Sequence, residues 1–384
     1  MANARSQDNP FDNPPNPEGE PGEIDELAVL AEKLLDMRYP TPDKILRSVH
    51  PKSHGCVKAV FQINKDIDKS LQVGLFAKPG KRYKAVIRFS NAASRVEHDN
   101  KDGEQGSRGM AIKVMDVGGK VLQDDDRKHN QDFLMINTTS FAFANVEDYL
   151  RLNQILLSQK DEAGLFFAPA VVQPTPPGFT PEQIQRILVA LGIAQMVKKV
   201  PVANPLEVQY FSAAPFLFGP DRVMKYSAAP CGELKPQVLP ENPSENYLHE
   251  ALVETMSKDE DICFDFKVQV RGKDEPDLGI ENAATIWDEA QTPFVNVATI
   301  TIKAPQKGIG DPKHLTRCEN LRYTPWHSLV EHQPVGGINR LRQKVYVSSE
   351  THRRTEKKGK HRPDEKPGGG RGGGGGRGGR RGHR

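Results

Sequence analysis

A tyrosine and two arginines near the carboxyl end of the chain are spaced so that they could build a metal ligand. Segment 338–353 is predicted to be a helix, on which Arg342, Tyr346 and Arg353 lie within about 40° of one another. A nearby cation favours the ionised form of a phenol, and a phenolate is a hard anionic ligand suited to ferric iron. An ordinary arginine–tyrosine pair on a helix is the alternative interpretation, because pairs four residues apart are common.

A histidine, a serine and two further arginines lie towards the amino end. Arg47 and His50 precede a predicted strand, whereas Arg88 and Ser90 share one face of a later strand. On a face suited to burial, an arginine and a hydroxyl both need partners. An anionic ligand would satisfy Arg88, and the imidazole of His50 would satisfy Ser90 and could transfer protons near neutral pH. A histidine with purely structural partners remains the alternative.

The elements that must position these residues are strands in the middle of the chain with helices in blocks between them. Period-two alternation between about 55 and 123 predicts strands, for example at Tyr83, Ala85, Ile87 and Phe89. The other predicted elements are helices at 24–37, 146–158 and 181–199 and strands at 264–271 and 294–304. We therefore predict an α+β fold whose antiparallel sheet closes as a barrel, with surrounding helices.

Composition divides the chain into three parts. Residues 1–22 are predicted to be disordered, 23–355 to fold as one domain, and 356–384 to form a disordered basic Gly/Arg-rich tail. The tail has ten basic and three acidic residues, so the rest of a chain of net charge +3 carries −4. This charge distribution is not typical of a dedicated nucleic-acid-binding fold, although the tail could bind RNA weakly.

The cysteines and the hydropathy pattern bear on the compartment. Four widely spaced cysteines without a CxxC motif argue against a zinc ribbon or a disulfide scaffold and favour a reducing compartment. No signal peptide and no membrane-spanning stretch is apparent in the sequence. We therefore predict a cytoplasmic protein.

Four short motifs resemble the catalase family, and they occur in that family's order. The matching segments are Arg47-Ser48-Val49-His50, Arg88-Phe89-Ser90, Arg108-Gly109-Met110-Ala111-Ile112-Lys113, and Arg342-x-x-x-Tyr346 with Arg353. The resemblance covers about residues 40 to 355 and is strongest up to about 143 and from 325 onwards.

The resemblance implies a haem enzyme that acts on hydroperoxides. It implies haem b as the cofactor, with Tyr346 as the axial ligand of its iron, because catalases use a tyrosine there. It further implies catalytic roles for His50, Ser90 and Asn130. The residues that it implies around the haem are Arg47, Val49, Arg88, Phe133, Phe141, Arg342 and Arg353.

The sequence also departs from the family pattern. The family's distal Asn-Asn segment is replaced by Lys128-His129-Asn130-Gln131. His54 stands where a small residue is usual. The long C-terminal helical region of full-length catalases is absent from this chain. We therefore predict a short catalase-related peroxidase or catalase that uses hydrogen peroxide or an organic hydroperoxide, with an organic electron donor, and that could form a homo-oligomer. The alternatives are a fatty-acid hydroperoxide isomerase of the allene oxide synthase kind and an RNA-binding protein that acts through its tail. A non-haem metal site at His50 and His54 is disfavoured by Pro51.

Overall fold

The centre of the protein is a closed antiparallel β-barrel. The computed structural model describes residues 17–41, 45–100, 103–123, 129–174, 176–234, 237–272, 274–276 and 278–359, and the side chains only up to 355. The strands are β1 (Ser53–Ile63), β2 (Arg82–Asn91), β3 (Arg108–Met115), β4 (Asn130–Ile136), β5 (Tyr210–Phe211), β6 (Phe216–Leu217), β7 (Arg222–Pro230), β8 (Ile262–Gly272) and β9 (Val295–Ile302). Eight of them close a ring in the order β5-β4-β3-β2-β1-β9-β8-β7, because β5 pairs with β7, and β6 pairs beside it. The predicted α+β barrel is confirmed.

Aromatic side chains fill the interior of the barrel. Ala85, Ile87 and Phe89, which alternate along β2 as predicted, are almost completely buried and belong to the core inside the barrel. The rings of Phe133 and Phe266 lie 4.6 Å apart between centroids in the same core. In barrels of this size the side chains fill the interior. A site for a large ligand must therefore lie outside the ring of strands.

Helices cover the outside of the barrel. They are α1 (Glu20–Arg38), α2 (Val146–Ser158), α3 (Ala168–Val171), α4 (Pro181–Lys199), α5 (Tyr247–Ser257), α6 (Pro312–Glu319) and α7 (Gly337–Gly359). The N-terminus of α2 is capped by Asn145, whose Oδ1 accepts a 3.0 Å hydrogen bond from the backbone of Asp148. A capping box of Thr180 and Gln183 begins α4. The predicted helices are therefore present, and α1 begins at Glu20, slightly before the predicted start of the folded domain.

The three-dimensional arrangement of the cysteines differs from the sequence-based interpretation. Cys56 in β1 is bonded to Cys318 in α6, 262 residues away, and Cys231 is bonded to Cys263. The expectation that the widely spaced cysteines form no disulfides is therefore wrong, whereas the compartment stays a prediction. Spacing along the chain does not report which cysteines the fold brings together, whereas a disulfide requires Cα atoms within about 7 Å.

Two further expectations concern the chain termini and membranes. The predicted disorder of residues 1–16 and of the Gly/Arg tail beyond 359 lies outside the described residues. Among the helices that the structure describes, none has an apolar run of the length that crossing a bilayer requires.

Candidate active site

The residues predicted at the two ends of the chain meet in one cavity between the outer face of the barrel and α7. Its wall includes His50 from the segment before β1, Ser90 from β2, and Arg342 and Tyr346 from α7. The cavity has a volume of about 110 Å³ and shares His50, Arg342 and Tyr346 with a neighbouring cavity of about 640 Å³. These two predicted groups are 252 residues apart in sequence at their closest, from Ser90 to Arg342, so the fold brings them together.

Backbone and side-chain contacts hold His50 in a fixed position. Its φ of 55° lies in the left-handed region, and its backbone N–H donates to the carbonyl of Ala93 over 2.9 Å. Its Nδ1 lies 3.1 Å from Oγ of Ser90, as predicted. The ring also rests against Gly109 of β3, where a side-chain Cβ would lie only 2.5 Å from Nδ1. The imidazole therefore fits because residue 109 has no side chain.

The surroundings of His50 keep its imidazole neutral. Burial, together with the positive charges of Arg88, Arg342 and Arg47, lowers its pKa to about 3. The hydrogen bond with Ser90 uses Nδ1 of His50, and Nε2 has no hydrogen-bond partner among the described residues. A neutral imidazole with one nitrogen open to the cavity can accept a proton.

Tyr346 and Arg342 lie four residues apart on α7, across the cavity from the barrel. Arg342 donates to Oδ1 of Asn339 over 3.1 Å, and its guanidinium lies 5.2 Å from the centre of the Phe141 ring. No described carboxylate forms an ion pair with Arg342. Burial raises the pKa of the neighbouring Tyr149 to about 12 and keeps it a neutral phenol.

Three arginines and one glutamate form a charged cluster at the edge of the cavity. Arg88 donates to Oε1 of Glu319 over 3.0 Å, and Nε of Arg47 lies 3.5 Å from Oε2 of the same carboxylate. Arg353 is buried beside them, and its charge acts on Glu319. Burial alone would raise the pKa of Glu319, but Arg88 and Arg47 outweigh this effect and lower it. The cluster thus has three positive charges and one negative charge.

Two buried nitrogens in this cluster are not satisfied by the protein. Nε of Arg47 and Nε of Arg88 are buried and make no hydrogen bond to a described residue, although Oε2 of Glu319 lies 3.5 Å from Nε of Arg47. Buried charged donors without partners are costly unless a ligand supplies the acceptor. Burial also lowers the pKa of Arg47 to about 9, with Arg88 contributing in the same direction. This end of the cavity is therefore suited to anionic groups.

Two predicted site residues do not reach the cavity. Asn130 pairs with Met115 at one end of β4, whereas Ile136, at the other end, pairs with Gly109 beside His50. Asn130 is thus about 20 Å along the strand from the histidine. Phe133 points into the barrel, where it contacts Phe266. The assignments of Asn130 as the distal amide and of Phe133 as a haem-edge residue are therefore not supported by their positions, whereas Val49 and Phe141 do line the two cavities.

His54 does not form a metal pair with His50. Its Nε2 lies 2.9 Å from Oδ1 of Asn91, within a buried network that includes Asp99 and Lys52. In the part of the chain that the structure describes, no group of three or more His, Cys, Asp or Glu residues could hold a metal ion. His54 therefore supports the loop that follows His50.

The larger cavity extends from the site between α1, α2 and α4. Apolar side chains from these three helices form much of its wall: Leu27, Ala31, Leu34, Leu152, Leu156, Ile193, Ala194 and Val197. Cavities of several hundred cubic ångströms with mostly apolar walls are typical of binding sites for organic molecules.

Comparisons with known proteins agree with this arrangement. Residues 37–162, which include His50, Ser90 and Gly109, match the sequence model of the Catalase family. The matched segment covers about a third of the chain and is similar to that family. No curated protein matches the chain. Solved structures similar to this chain include catalase A from Saccharomyces cerevisiae, with 16% identity and a TM-score of 0.59, and a fungal catalase, with 14% identity and a TM-score of 0.57.

A bacterial catalase is also similar, with 14% identity and a TM-score of 0.53. Each comparison covers 80% of this chain but only 57–60% of the catalase, so the similarity spans less than two thirds of those proteins. At these identities the solved structures show the shared fold.

Proposed function

We propose that this protein binds haem b between α7 and the outer face of the barrel and uses it to break down hydroperoxides. The observation that carries the proposal is the single cavity in which His50 and Ser90 face Arg342 and Tyr346, with an arginine cluster at its edge. The match of residues 37–162 to the Catalase family model supports the same conclusion.

The residues present fit the chemistry of haem. Tyr346 would ligate the iron, and the charge of Arg342 would favour its phenolate. The carboxylates of the haem would supply acceptors to Arg47, Arg88 and Arg353, and the buried Nε atoms of Arg47 and Arg88 otherwise make no hydrogen bond. Val49 and Phe141 would pack against the porphyrin. When bound, the haem supplies the iron-centred redox chemistry that cleaves the oxygen–oxygen bond.

The chain's own contribution to that chemistry is proton transfer. Nε2 of neutral His50 would take the proton of the hydroperoxide and return it to the departing oxygen. Ser90 holds Nδ1, which fixes the orientation of the ring. Such an acid–base group contributes roughly 10² to 10⁴ to the rate.

The apolar cavity favours an organic hydroperoxide or an organic donor over hydrogen peroxide alone. Its walls can shield a hydrocarbon chain, which hydrogen peroxide lacks. We therefore favour a peroxidase with weaker catalase activity, and the same cavity supports the fatty-acid hydroperoxide isomerase as the second candidate. Rates of oxygen release, donor oxidation and lipid rearrangement, measured on one preparation, distinguish the three reactions.

Haem reconstitution tests the proposal itself. Protein mixed with ferric haem should develop a Soret band and a high-spin ferric tyrosinate spectrum, and should then consume hydroperoxide. Tyr149→Phe is the matched control for Tyr346→Phe, because both remove a hydroxyl near Arg342. A reconstituted wild-type protein without a Soret band would refute the proposal.

The cellular location predicted from the sequence loses its main support. Two disulfides are typical of oxidising compartments. A cytoplasmic location therefore rests on the absence of a recognisable signal in the sequence, and fractionation of the source cells would test it.

A further inference from the structure

We propose that Glu319 determines how strongly the arginine cluster binds the two carboxylates of haem, and that it weakens this binding. The inference rests on the proposed function, because it concerns the same cofactor. Glu319 is the one described carboxylate that pairs with both Arg47 and Arg88. It supplies one negative charge to three arginines.

The position of Glu319 is fixed from outside the cavity. It is the last residue of α6, and the preceding residue, Cys318, is bonded to Cys56 of β1. His314, one turn earlier, lies with Nε2 2.8 Å from the carbonyl of Cys56. Both contacts attach α6 to the barrel, so Glu319 cannot easily withdraw when another anion approaches its arginines.

The arginines do not depend on the Glu319 carboxylate alone for their orientation. Arg47 also donates to the backbone carbonyls of Glu319 and Leu321, and Arg88 donates to the backbone carbonyl of His50 over 2.9 Å. Removing only the charge of residue 319 should therefore leave both guanidinium groups in place. The negative charge of Glu319 is therefore not needed to orient the arginines, but it repels any carboxylate that approaches them.

The charge count gives the direction of the effect. With Glu319 ionised, the cluster has a net charge of +2, which two haem carboxylates neutralise. With a neutral residue at 319, the same carboxylates would meet a net charge of +3 and lose a repulsive neighbour. We expect Glu319→Gln to bind haem about tenfold more tightly than the wild-type protein. A tenfold change corresponds to a repulsion of about 1.4 kcal/mol between the Glu319 carboxylate and the haem carboxylates.

Optical titration with haem and with haem dimethyl ester tests the inference by affinity, without activity. Glu319→Gln should bind haem about tenfold more tightly, whereas its affinity for the ester, which lacks the two charges, should not change. Glu350→Gln is the matched control, because Glu350 lines the same cavity but pairs with Arg322 and Arg354. It should change haem affinity much less.

Each outcome decides between the claims. Wild-type protein that binds no haem would overturn the proposed function and this inference with it. Wild-type binding with no gain in Glu319→Gln, or with an equal gain for the ester, would overturn only the inference. If Glu319→Gln folds only when haem is supplied and not with the ester, the inference is supported, because the haem carboxylates then replace the missing charge. A Glu319→Gln protein that fails to fold whether haem or its ester is supplied would show that Glu319 has a purely structural role, and would overturn the inference.

Discussion

Replacing Gly109 with alanine tests whether the position of the His50 imidazole controls the proposed chemistry. Gly109 lies in β3 opposite Ser90 of β2, and an added Cβ would lie 2.5 Å from Nδ1 and 2.6 Å from Cε1 of His50. Ordinary contacts between such atoms are about 3.5 Å. The imidazole must therefore move by about 1 Å and give up its hydrogen bond with Ser90.

The effects of Gly109→Ala on reaction rate, on stability and on haem binding can be measured separately. A displacement of about 1 Å from the productive geometry typically costs about 10² in rate, whereas overpacking lowers the free energy of unfolding by about 1–3 kcal/mol. The haem-loaded Gly109→Ala protein should keep its Soret band, because Tyr346 and the arginines lie elsewhere in the cavity, but should consume hydroperoxide about 10²-fold more slowly.

The matched control for this variant is Gly118→Ala. A Cβ at Gly118 meets no atom within 4 Å, so the control should behave as the wild type. The rate is followed spectrophotometrically from the loss of hydroperoxide. A Gly109→Ala protein with the wild-type rate would refute the assignment of His50 as the proton acceptor.

Four further predictions follow from the same structure. Tyr346→Phe should lose the tyrosinate signature in the visible spectrum of the haem-loaded protein, because its iron ligand is gone. Burial lowers the pKa of His50 and His54 to about 3 and that of His332 to about 4, below the unfolded value of 6.5, so their stabilisation is full above pH 6.5 and is lost as the pH falls towards these values; acid titrations of unfolding should show a slope of about 1.4 kcal/mol per pH unit for each histidine within its window. Replacing both cysteines of the β1–α6 disulfide with serine should cost more stability in urea melts than removing the other disulfide, about 6 against about 4 kcal/mol, because its loop is longer. Deleting residues 357–384 should leave hydroperoxide turnover unchanged and abolish any salt-sensitive RNA binding in a gel-shift assay.

Local patterns in the sequence predicted the parts of the site that depend on a single element. The helical period places Arg342 and Tyr346 on one face of α7, and strand alternation places Arg88 and Ser90 on one face of β2. The prediction for Phe133 was wrong for a related reason. Motif similarity suggested that it faces the ligand, but side chains alternate between the two faces of β4, and Phe133 is on the face that points into the barrel. A shift of one residue in register decides between these two faces.

Long-range contacts account for what the sequence could not predict. Glu319 is 231 residues from Arg88 and belongs to a short helix without a recognisable motif. The cysteines of the longer disulfide are 262 residues apart. Neither contact leaves a periodic signal, because it depends on how the closed barrel places α6 beside β1. A carboxylate beside a cysteine at the end of a helix was the available signal, and it is too common to be specific.

The arginine cluster and the proton acceptor act on each other through their charges. After burial, Arg88 has the largest effect in holding the pKa of His50 low, and Arg88 also faces Glu319. Carboxylates that neutralise the cluster reduce this electrostatic effect and make the imidazole more basic. Binding of an anionic cofactor would therefore raise the proton affinity of His50 at the time when a proton acceptor is needed.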